Sequence, residues 1–130
     1  MDQTFTKDER LRSKILIKKL FEEGEKWNYF PFRIIVLKCP APSKYPVQLL
    51  ISVPRSLYRK AVDRNRIKRL IREAYRKSKY LLYESLEEDH IQMMVCIQYT
   101  AKEIPSFQMI QEKINVLLQR LKEKNADIIE

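Results

Sequence analysis

The chain has 130 residues, a length typical of one domain, and its 45% hydrophobic content allows a buried core, which excludes a disordered basic tail. Its net charge is +9, and its single glycine, Gly24, excludes the glycine-rich phosphate loops of nucleotide-binding enzymes. Residues 1–12 are charged, and no apolar run approaches the roughly 18 residues that span a bilayer. We therefore expect a single domain over residues 1–124 with a frayed tail at 125–130, no signal peptide, no membrane contact and a cytoplasmic location.

The first predicted element is a helix over residues 7–23. Thr6 and Glu9 have the spacing of a capping box, in which each side chain bonds the backbone of the other residue at the start of a helix. Apolar residues then recur at helical spacing: Leu16, Ile17, Leu20 and Phe21. We expect Gly24 to end this helix in the left-handed conformation that glycine adopts without strain.

Two stretches rich in β-branched residues follow, at 31–39 and 47–53, and a proline-rich loop at 40–46 separates them. In the second stretch, alternate residues share one apolar face: Val47, Leu49, Ile51 and Val53. This order predicts an antiparallel hairpin with a long loop. Residues 27–30 indicate a further short strand at the edge of the sheet.

The rest of the chain predicts a helix over residues 60–83, a strand at 91–99 and a final helix that opens at 104–106. One apolar stripe of the final helix is expected to be buried: Phe107, Ile110, Ile114, Leu117, Leu118 and Leu121. The order α-β-β-α-β-α, with or without the short extra strand, predicts an α+β fold, a small α/β sandwich. The strands on either side of the basic helix can be parallel through a βαβ crossover.

The positive charge is concentrated in one segment. Residues 55–79 hold eleven Lys or Arg and two acids, a surplus of nine that equals the net charge of the whole chain. Seven of the eleven are Arg, whose planar guanidinium suits bidentate contacts to phosphate better than the Lys ammonium does. Charge placed in this way predicts one surface that faces a polyanion.

A helical wheel sorts the residues of this segment onto two sides. Ile67, Leu70, Ile71 and Ala74 lie together and are expected to face the sheet. The opposite side is polar or cationic: Asn65, Lys68, Arg69, Arg72, Arg76 and Lys79. A merely solvated face normally mixes charges of both signs, whereas this one has a single acid, Glu73.

Several classes of partner can be compared for this helix. A helix at a membrane surface needs its apolar side free to enter lipid, but here the core needs that side. A DNA-binding helix-turn-helix needs a second helix directly before the recognition helix, but here a strand precedes it. A helix that docks across the phosphates and 2′-hydroxyls of folded RNA fits the pattern better.

Other residues that could carry chemistry are isolated in the sequence. Cys39 and Cys96 lack the CxxC spacing of a metal or redox pair, and we interpret them as buried thiols. The only histidine, His90, has no visible acid–base partner and is expected at a strand edge. A stand-alone nuclease would need clustered carboxylates or a histidine pair, so we predict no catalytic residue and no metal site on this chain.

The segment from Ala61 to Glu73 resembles the signature of the bacterial ribonuclease P protein subunit. Arg64-Asn65-Arg66 matches the core of that signature, and the flanking residues Ala61-Val62, Lys68-Arg69 and Arg72-Glu73 sit at the family's spacing. Leu11, Phe21 and Gly24 fit the family's first helix, and Leu50-Ile51-Ser52-Val53 fits the strand that leads into the signature. The resemblance covers nearly the whole chain.

This resemblance implies the small subunit of a ribonucleoprotein that removes 5′ leaders from precursor tRNA. The RNA subunit would perform the hydrolysis with Mg²⁺, the protein would bind no cofactor or small molecule, and one protein monomer would join one RNA. The fold would contain a left-handed βαβ crossover, against the usual handedness. The residues implied to contact the ribonuclease P RNA are Lys60, Arg64, Asn65, Arg66, Lys68, Arg69, Arg72 and Arg76, and those implied to contact the precursor tRNA leader are Ile17, Phe21 and Arg55. A basic RNA-binding protein of another ribonucleoprotein, such as the ribosome, is the alternative.

Overall fold

The computed structural model describes residues 5–40 and 44–129, with side chains as far as residue 124. Within these residues the chain forms a 3₁₀ turn, four strands and four α-helices. In chain order the elements are the turn Lys7–Glu9, α1 Lys14–Glu23, β1 Glu25–Tyr29, β2 Phe32–Lys38, β3 Val47–Ser52, α2 Ala61–Ser78, α3 Tyr80–Glu88, β4 Met93–Tyr99 and α4 Phe107–Ile129. The predicted α+β class is confirmed, as is the weakly marked edge strand, which is β1. Fraying of residues 125–130 stays a prediction.

The strand order of the sheet is β1-β2-β4-β3. The predicted hairpin between the second and third strands is wrong, because β4 lies between them and is antiparallel to β2. β3 is parallel to β4, as the βαβ prediction required. From Met93 to Ile97 every residue of β4 is buried, and a strand covered on both faces belongs in the centre of a sheet. The handedness of the crossover stays a prediction.

Helices cover both faces of the sheet. One core joins the inward side chains of the strands to α2, α3 and α4, and its fully buried members include Phe32, Tyr75 and Tyr99. The predicted stripe of α4 lies in this core, with Ile110, Ile114, Leu117, Leu118 and Leu121 buried and Phe107 packed at the margin. A smaller cluster on the other face joins α1 to the sheet through Leu20, Ile35 and Cys96.

The first helix begins later than predicted. The Thr6 backbone N–H donates to Glu9 Oε1 at 2.9 Å, as in the expected capping box, but the 3₁₀ turn that this box opens ends at Glu9. The chain then runs beside β3, where the Leu11 N–H donates to the Leu49 carbonyl at 2.9 Å. The α-helix starts at Lys14, with the Ser13 hydroxyl as its N-terminal cap. The prediction failed because a partner distant in sequence holds this segment in an extended conformation.

Gly24 ends α1 as predicted. The predicted left-handed conformation is wrong, because Gly24 has an extended backbone with a φ of −69°. The glycine is required for a different reason. A Cβ at this position would lie 2.4 Å from the Leu20 carbonyl oxygen and 2.6 Å from Ile35 Cγ2. Gly24 therefore allows the end of α1 to approach β2 closely.

The basic helix is also shorter than predicted. Residues 60–83 were expected to form one helix, but α2 ends at Ser78 and α3 starts at Tyr80, with Lys79 between them. The Lys79 ammonium is buried and lies 2.6 Å from Glu9 Oε2. α3 was not predicted as a separate element, and it buries Leu82, Tyr83 and Leu86 in the main core.

Candidate nucleic-acid interface

From Asn65 to Ala74, α2 has its apolar and polar residues on the two sides that the sequence predicted. Ile67, Ile71 and Ala74 are fully buried against the sheet, while Leu70 is half-buried. On the other side Asn65, Arg66 and Arg69 are exposed, and Lys68 and Arg72 are half-buried; Lys60 and Arg55 in the preceding loop are exposed. The helix thus belongs to the core on one side and offers hydrogen-bond donors to solvent on the other.

Arg64 holds the loop that precedes α2. Its Nη1 donates to the Tyr58 carbonyl at 2.9 Å and to the Arg59 carbonyl at 2.7 Å. The hydroxyl of the buried Tyr58 in turn donates to the Ala101 carbonyl at 2.8 Å. Arg64 therefore sets the start of α2 relative to the loop, a role that sequence reasoning missed, and contact with RNA stays a prediction for it.

Arg72 has an unusual environment for an arginine on a cationic face. Its Nε is buried and has no hydrogen-bond partner among the described residues. Burial lowers the pKa of the guanidinium from its ordinary value, and the positive charges of Arg10 and Arg69 lower that pKa further. Arg10 lies outside the predicted basic segment, so the cationic surface extends beyond α2 to the amino-terminal chain.

The second half of α2 carries internal charge compensation. Arg76 Nε donates to Glu73 Oε2 at 3.1 Å, and Lys77 Nζ lies 4.0 Å from the same carboxylate. The Arg76 hydrogen bond lowers the pKa of Glu73, and the pairing raises the pKa of Arg76. Uncompensated charge is therefore concentrated in the first half of the helix, on either side of Arg66.

Lys79 was placed on the cationic face by the helical wheel, and this prediction is wrong. Its side chain is 4% exposed and pairs with Glu9, which is 0% exposed. The Tyr83 hydroxyl donates to the same Glu9 oxygen at 2.6 Å and lies 2.8 Å from the Tyr75 hydroxyl. Burial raises the pKa of both tyrosines, so both hydroxyls keep their protons and can donate. The Lys79–Glu9 ion pair joins the end of α2 to the amino-terminal turn, and the buried ammonium is not accessible to a ligand.

The residues predicted to touch the leader lie outside α2. Ile17 is half-buried and Phe21 is 40% exposed, and they are one turn apart on α1, the helix that covers the smaller cluster. Arg55 is exposed beyond the end of β3. The structure thus places Ile17 and Phe21 on the sheet face that α1 covers, while the arginines of α2 belong to the helix on the opposite face.

The two cysteines belong to the smaller cluster on the α1 side of the sheet, whereas His90 lies in a turn. Cys96 is buried, which raises the pKa of its thiol to about 11, and Cys39 is half-buried; both are free thiols. His90 is exposed in the turn before β4, with a left-handed φ of 56°. Within the described residues no His, Cys, Asp and Glu side chains come together in a group that could hold a metal. In the same part of the chain no helix is long and apolar enough to cross a bilayer.

The structure is thus an α+β domain with an arginine-rich helix that is buried on one side and exposed and cationic on the other, a pattern typical of nucleic-acid-binding proteins. The chain belongs to the ribonuclease P protein family, since the model of the family named Ribonuclease P matches residues 5–122.

Named relatives agree with this assignment. The chain is 33% identical over 116 residues to the ribonuclease P protein component of Porphyromonas gingivalis, an alignment that covers 89% of this chain and 85% of the relative. It is 35% identical over 121 residues to the ribonuclease P protein component of Chlorobaculum tepidum, and this alignment covers 85% of this chain and 77% of the relative. The solved ribonuclease P protein of Thermotoga maritima superposes with a TM-score of 0.68 at 26% identity over 86% of this chain and 96% of that one. The solved Staphylococcus aureus ribonuclease P protein, at 21% identity, has the same fold, with a TM-score of 0.63 over 88% of this chain and 95% of that one.

Proposed function

We propose that this chain is the protein subunit of the ribonucleoprotein endoribonuclease that removes 5′ leaders from precursor tRNA. The observation that carries the proposal is the uncompensated arginine face of α2 in a chain of the ribonuclease P protein family. The alternative of a ribosomal protein finds no support in that family membership. In this proposal the RNA subunit performs the hydrolysis with Mg²⁺, and one protein monomer joins one RNA in the cytoplasm.

The ribonuclease P RNA docks on the cationic face of α2 and on Lys60, which directly precedes the helix. The residues assigned to this contact are Lys60, Arg64, Asn65, Arg66, Lys68, Arg69, Arg72 and Arg76, of which Arg76 also pairs with Glu73. Arginine forks suit the phosphates of folded RNA, and the Asn65 amide can bond a ribose 2′-hydroxyl or a base edge. Binding that neutralises several phosphates releases counterions, so affinity should fall steeply as salt rises.

The leader of the precursor tRNA contacts the α1 side of the sheet. The Phe21 ring is 40% exposed and can stack on an unpaired base, while Ile17 supports it one turn earlier. Arg55 supplies a positive charge for the leader backbone. Docking of the catalytic RNA and stacking of the leader thus use opposite faces of the sheet.

The central test is reconstitution of cleavage. The protein is mixed with a bacterial ribonuclease P RNA and a precursor tRNA at a low Mg²⁺ concentration at which the RNA alone is inactive, and cleavage at the mature 5′ end is expected. Arg66→Ala should weaken binding to the RNA with an unchanged far-UV circular dichroism spectrum. Lys77→Ala is the matched control, because it removes an exposed cation of the same helix outside the assigned set. No cleavage with the wild-type protein refutes the proposal.

Contact with the leader is tested separately. Phe21→Ala should weaken binding of a precursor tRNA to the reconstituted particle about tenfold, within the range for loss of one base–aromatic stack, and should leave binding of mature tRNA unchanged. Ile15→Ala removes a more exposed apolar side chain of the same helix and should have no effect. An equal loss for tRNA with and without a leader refutes the assignment of Phe21.

A further inference from the structure

Arg10 is held in place by buried anchors on both of its sides. The residue before it, Glu9, is fully buried and accepts hydrogen bonds from Lys79 Nζ and the Tyr83 hydroxyl, each at 2.6 Å. The residue after it, Leu11, is 3% exposed and donates its N–H to the Leu49 carbonyl at 2.9 Å. Arg10 itself is exposed. Its backbone therefore has little freedom, although it belongs to no helix.

An aromatic contact directs the Arg10 side chain towards α2. The guanidinium carbon lies 5.4 Å from the centre of the Phe5 ring, an arrangement in which a cation is attracted to a ring face. Phe5 packs edge-on against Tyr75 of α2, with 5.6 Å between the ring centres. Tyr75 is three residues after Arg72 and hence one turn away on the helix. These contacts bring Arg10 to the part of α2 that carries Arg72.

Three guanidinium groups, those of Arg10, Arg69 and Arg72, lie near one another on this part of the surface. Arg10 and Arg69 are both close enough to Arg72 for their charges to act on its guanidinium. Among the residues whose side chains the structure describes, no salt bridge joins any of the three to a carboxylate. Arg72 Nε is in addition buried and, within the same residues, has no hydrogen-bond acceptor. Mutual repulsion among the three guanidinium groups costs free energy, and an anion bound between them relieves that cost.

We propose that Arg10, Arg69 and Arg72 together form a binding site for one phosphate of the RNA backbone, with Arg10 supplied by the amino-terminal segment. The inference rests on the proposed function and deepens it, because it adds to the RNA-binding face a residue outside α2. The non-bridging oxygens of a backbone phosphodiester can accept N–H hydrogen bonds from two guanidinium groups, while the third guanidinium group adds positive charge nearby. The phosphate belongs to the ribonuclease P RNA, since Arg69 and Arg72 lie on the helix face assigned to that RNA.

The test compares two charge-removing variants of the full-length protein. Arg10→Gln should weaken binding to ribonuclease P RNA about tenfold and reduce the slope of log affinity against log salt by about one. Arg12→Gln is the matched control, since it removes an exposed cation from the same segment that does not act on Arg72. Arg10→Lys keeps the positive charge and should keep the wild-type salt slope. If Arg10 acted only by stacking its guanidinium on Phe5, Lys would not restore binding. Thermal unfolding of every variant shows that the domain is folded.

Two further measurements test which RNA supplies the phosphate and distinguish a failure of the proposed site from a failure of the proposed function. If Arg10 and Arg69 hold one phosphate, the Arg10→Gln/Arg69→Gln double variant should lose less affinity than the product of the two single losses. Binding of precursor tRNA to the fully assembled particle should be unchanged by Arg10→Gln; a loss there and not with the RNA subunit overturns the assignment to the ribonuclease P RNA. Arg10→Gln with wild-type affinity, or a loss matched by Arg12→Gln, overturns the site while leaving the proposed function intact. Wild-type protein that fails to bind the RNA refutes the proposed function itself.

Discussion

Replacing Lys79 with Met tests the buried ion pair that joins the amino-terminal turn to the junction of α2 and α3. The substitution keeps most of the side-chain volume and removes the charge that faces Glu9 Oε2 at 2.6 Å. Glu9 is 0% exposed, so its carboxylate would be left as a buried charge without a cation.

The expected loss follows from this geometry. Breaking a buried pair by removing one partner costs about 3–5 kcal/mol of unfolding free energy. The carboxylate would keep hydrogen bonds from the Thr6 N–H and the Tyr83 hydroxyl, which favours the lower end of that range. For a domain of this size, a loss of about 3 kcal/mol corresponds to a fall in melting temperature of roughly 10 °C.

Urea denaturation followed by circular dichroism measures the change. Lys77→Met is the matched control: the Lys77 ammonium is 4.0 Å from Glu73 and both side chains are over 40% exposed, so the expected loss is below about 1 kcal/mol. Adding Glu9→Gln to Lys79→Met should recover part of the stability, because the unpaired buried charge is then gone. Equal losses for Lys79→Met and Lys77→Met would mean that Glu9 is solvated and that no buried charge is left unpaired.

Three further changes test other parts of the structure. Gly24→Ala should lower the free energy of unfolding by about 1–3 kcal/mol, because its Cβ would overlap the Leu20 carbonyl and the Ile35 side chain; a variant as stable as wild type in urea contradicts this close approach. Ile67→Asp buries a charge in the core and should abolish the cooperative thermal transition, and a folded variant would refute the phase assigned to α2. The thiol pKa of Cys96 is raised from 9.0 to about 11, so between these pH values the unfolded chain loses a proton that the folded chain keeps. Stability should therefore fall as pH rises above about 9, by up to about 1.4 kcal/mol per pH unit more in wild type than in Cys96→Ala; parallel pH profiles of the two proteins would exclude this cause.

Local patterns in the sequence correctly predicted the helices whose apolar residues recur at helical spacing. The phase of α2 was predicted correctly at Ile67, Ile71 and Ala74, because residues three and four apart share a face in any α-helix. The apolar stripe of α4 was predicted for the same reason. The ribonuclease P signature around Arg66 likewise lies in one continuous segment, so those neighbouring residues are enough to indicate the family.

The errors in the strand order, in the start of the first helix and in the placement of Lys79 involve contacts between residues distant in the chain. Strand order depends on which strand is covered on both faces and sits at the centre, and the order of strands in the sequence suggested a hairpin that does not form. The predicted first helix failed at residues 10–13 because Leu11 bonds β3, 38 residues later. A helical wheel placed Lys79 in solvent because it contains no information on Glu9, which is 70 residues away.

The amphipathic helix, the concentration of charge upon it and the family could all be read from the amino-acid sequence, because these features reside in neighbouring residues. Which of the cations lack a nearby carboxylate depends instead on the folded arrangement of the chain. Lys79 is buried in an ion pair and Arg76 is paired with Glu73, while Arg10 joins the surface from outside the basic segment. The physical reason is that the charge a ligand meets depends on solvent exposure and on nearby opposite charges, and folding sets both through contacts that no local pattern encodes.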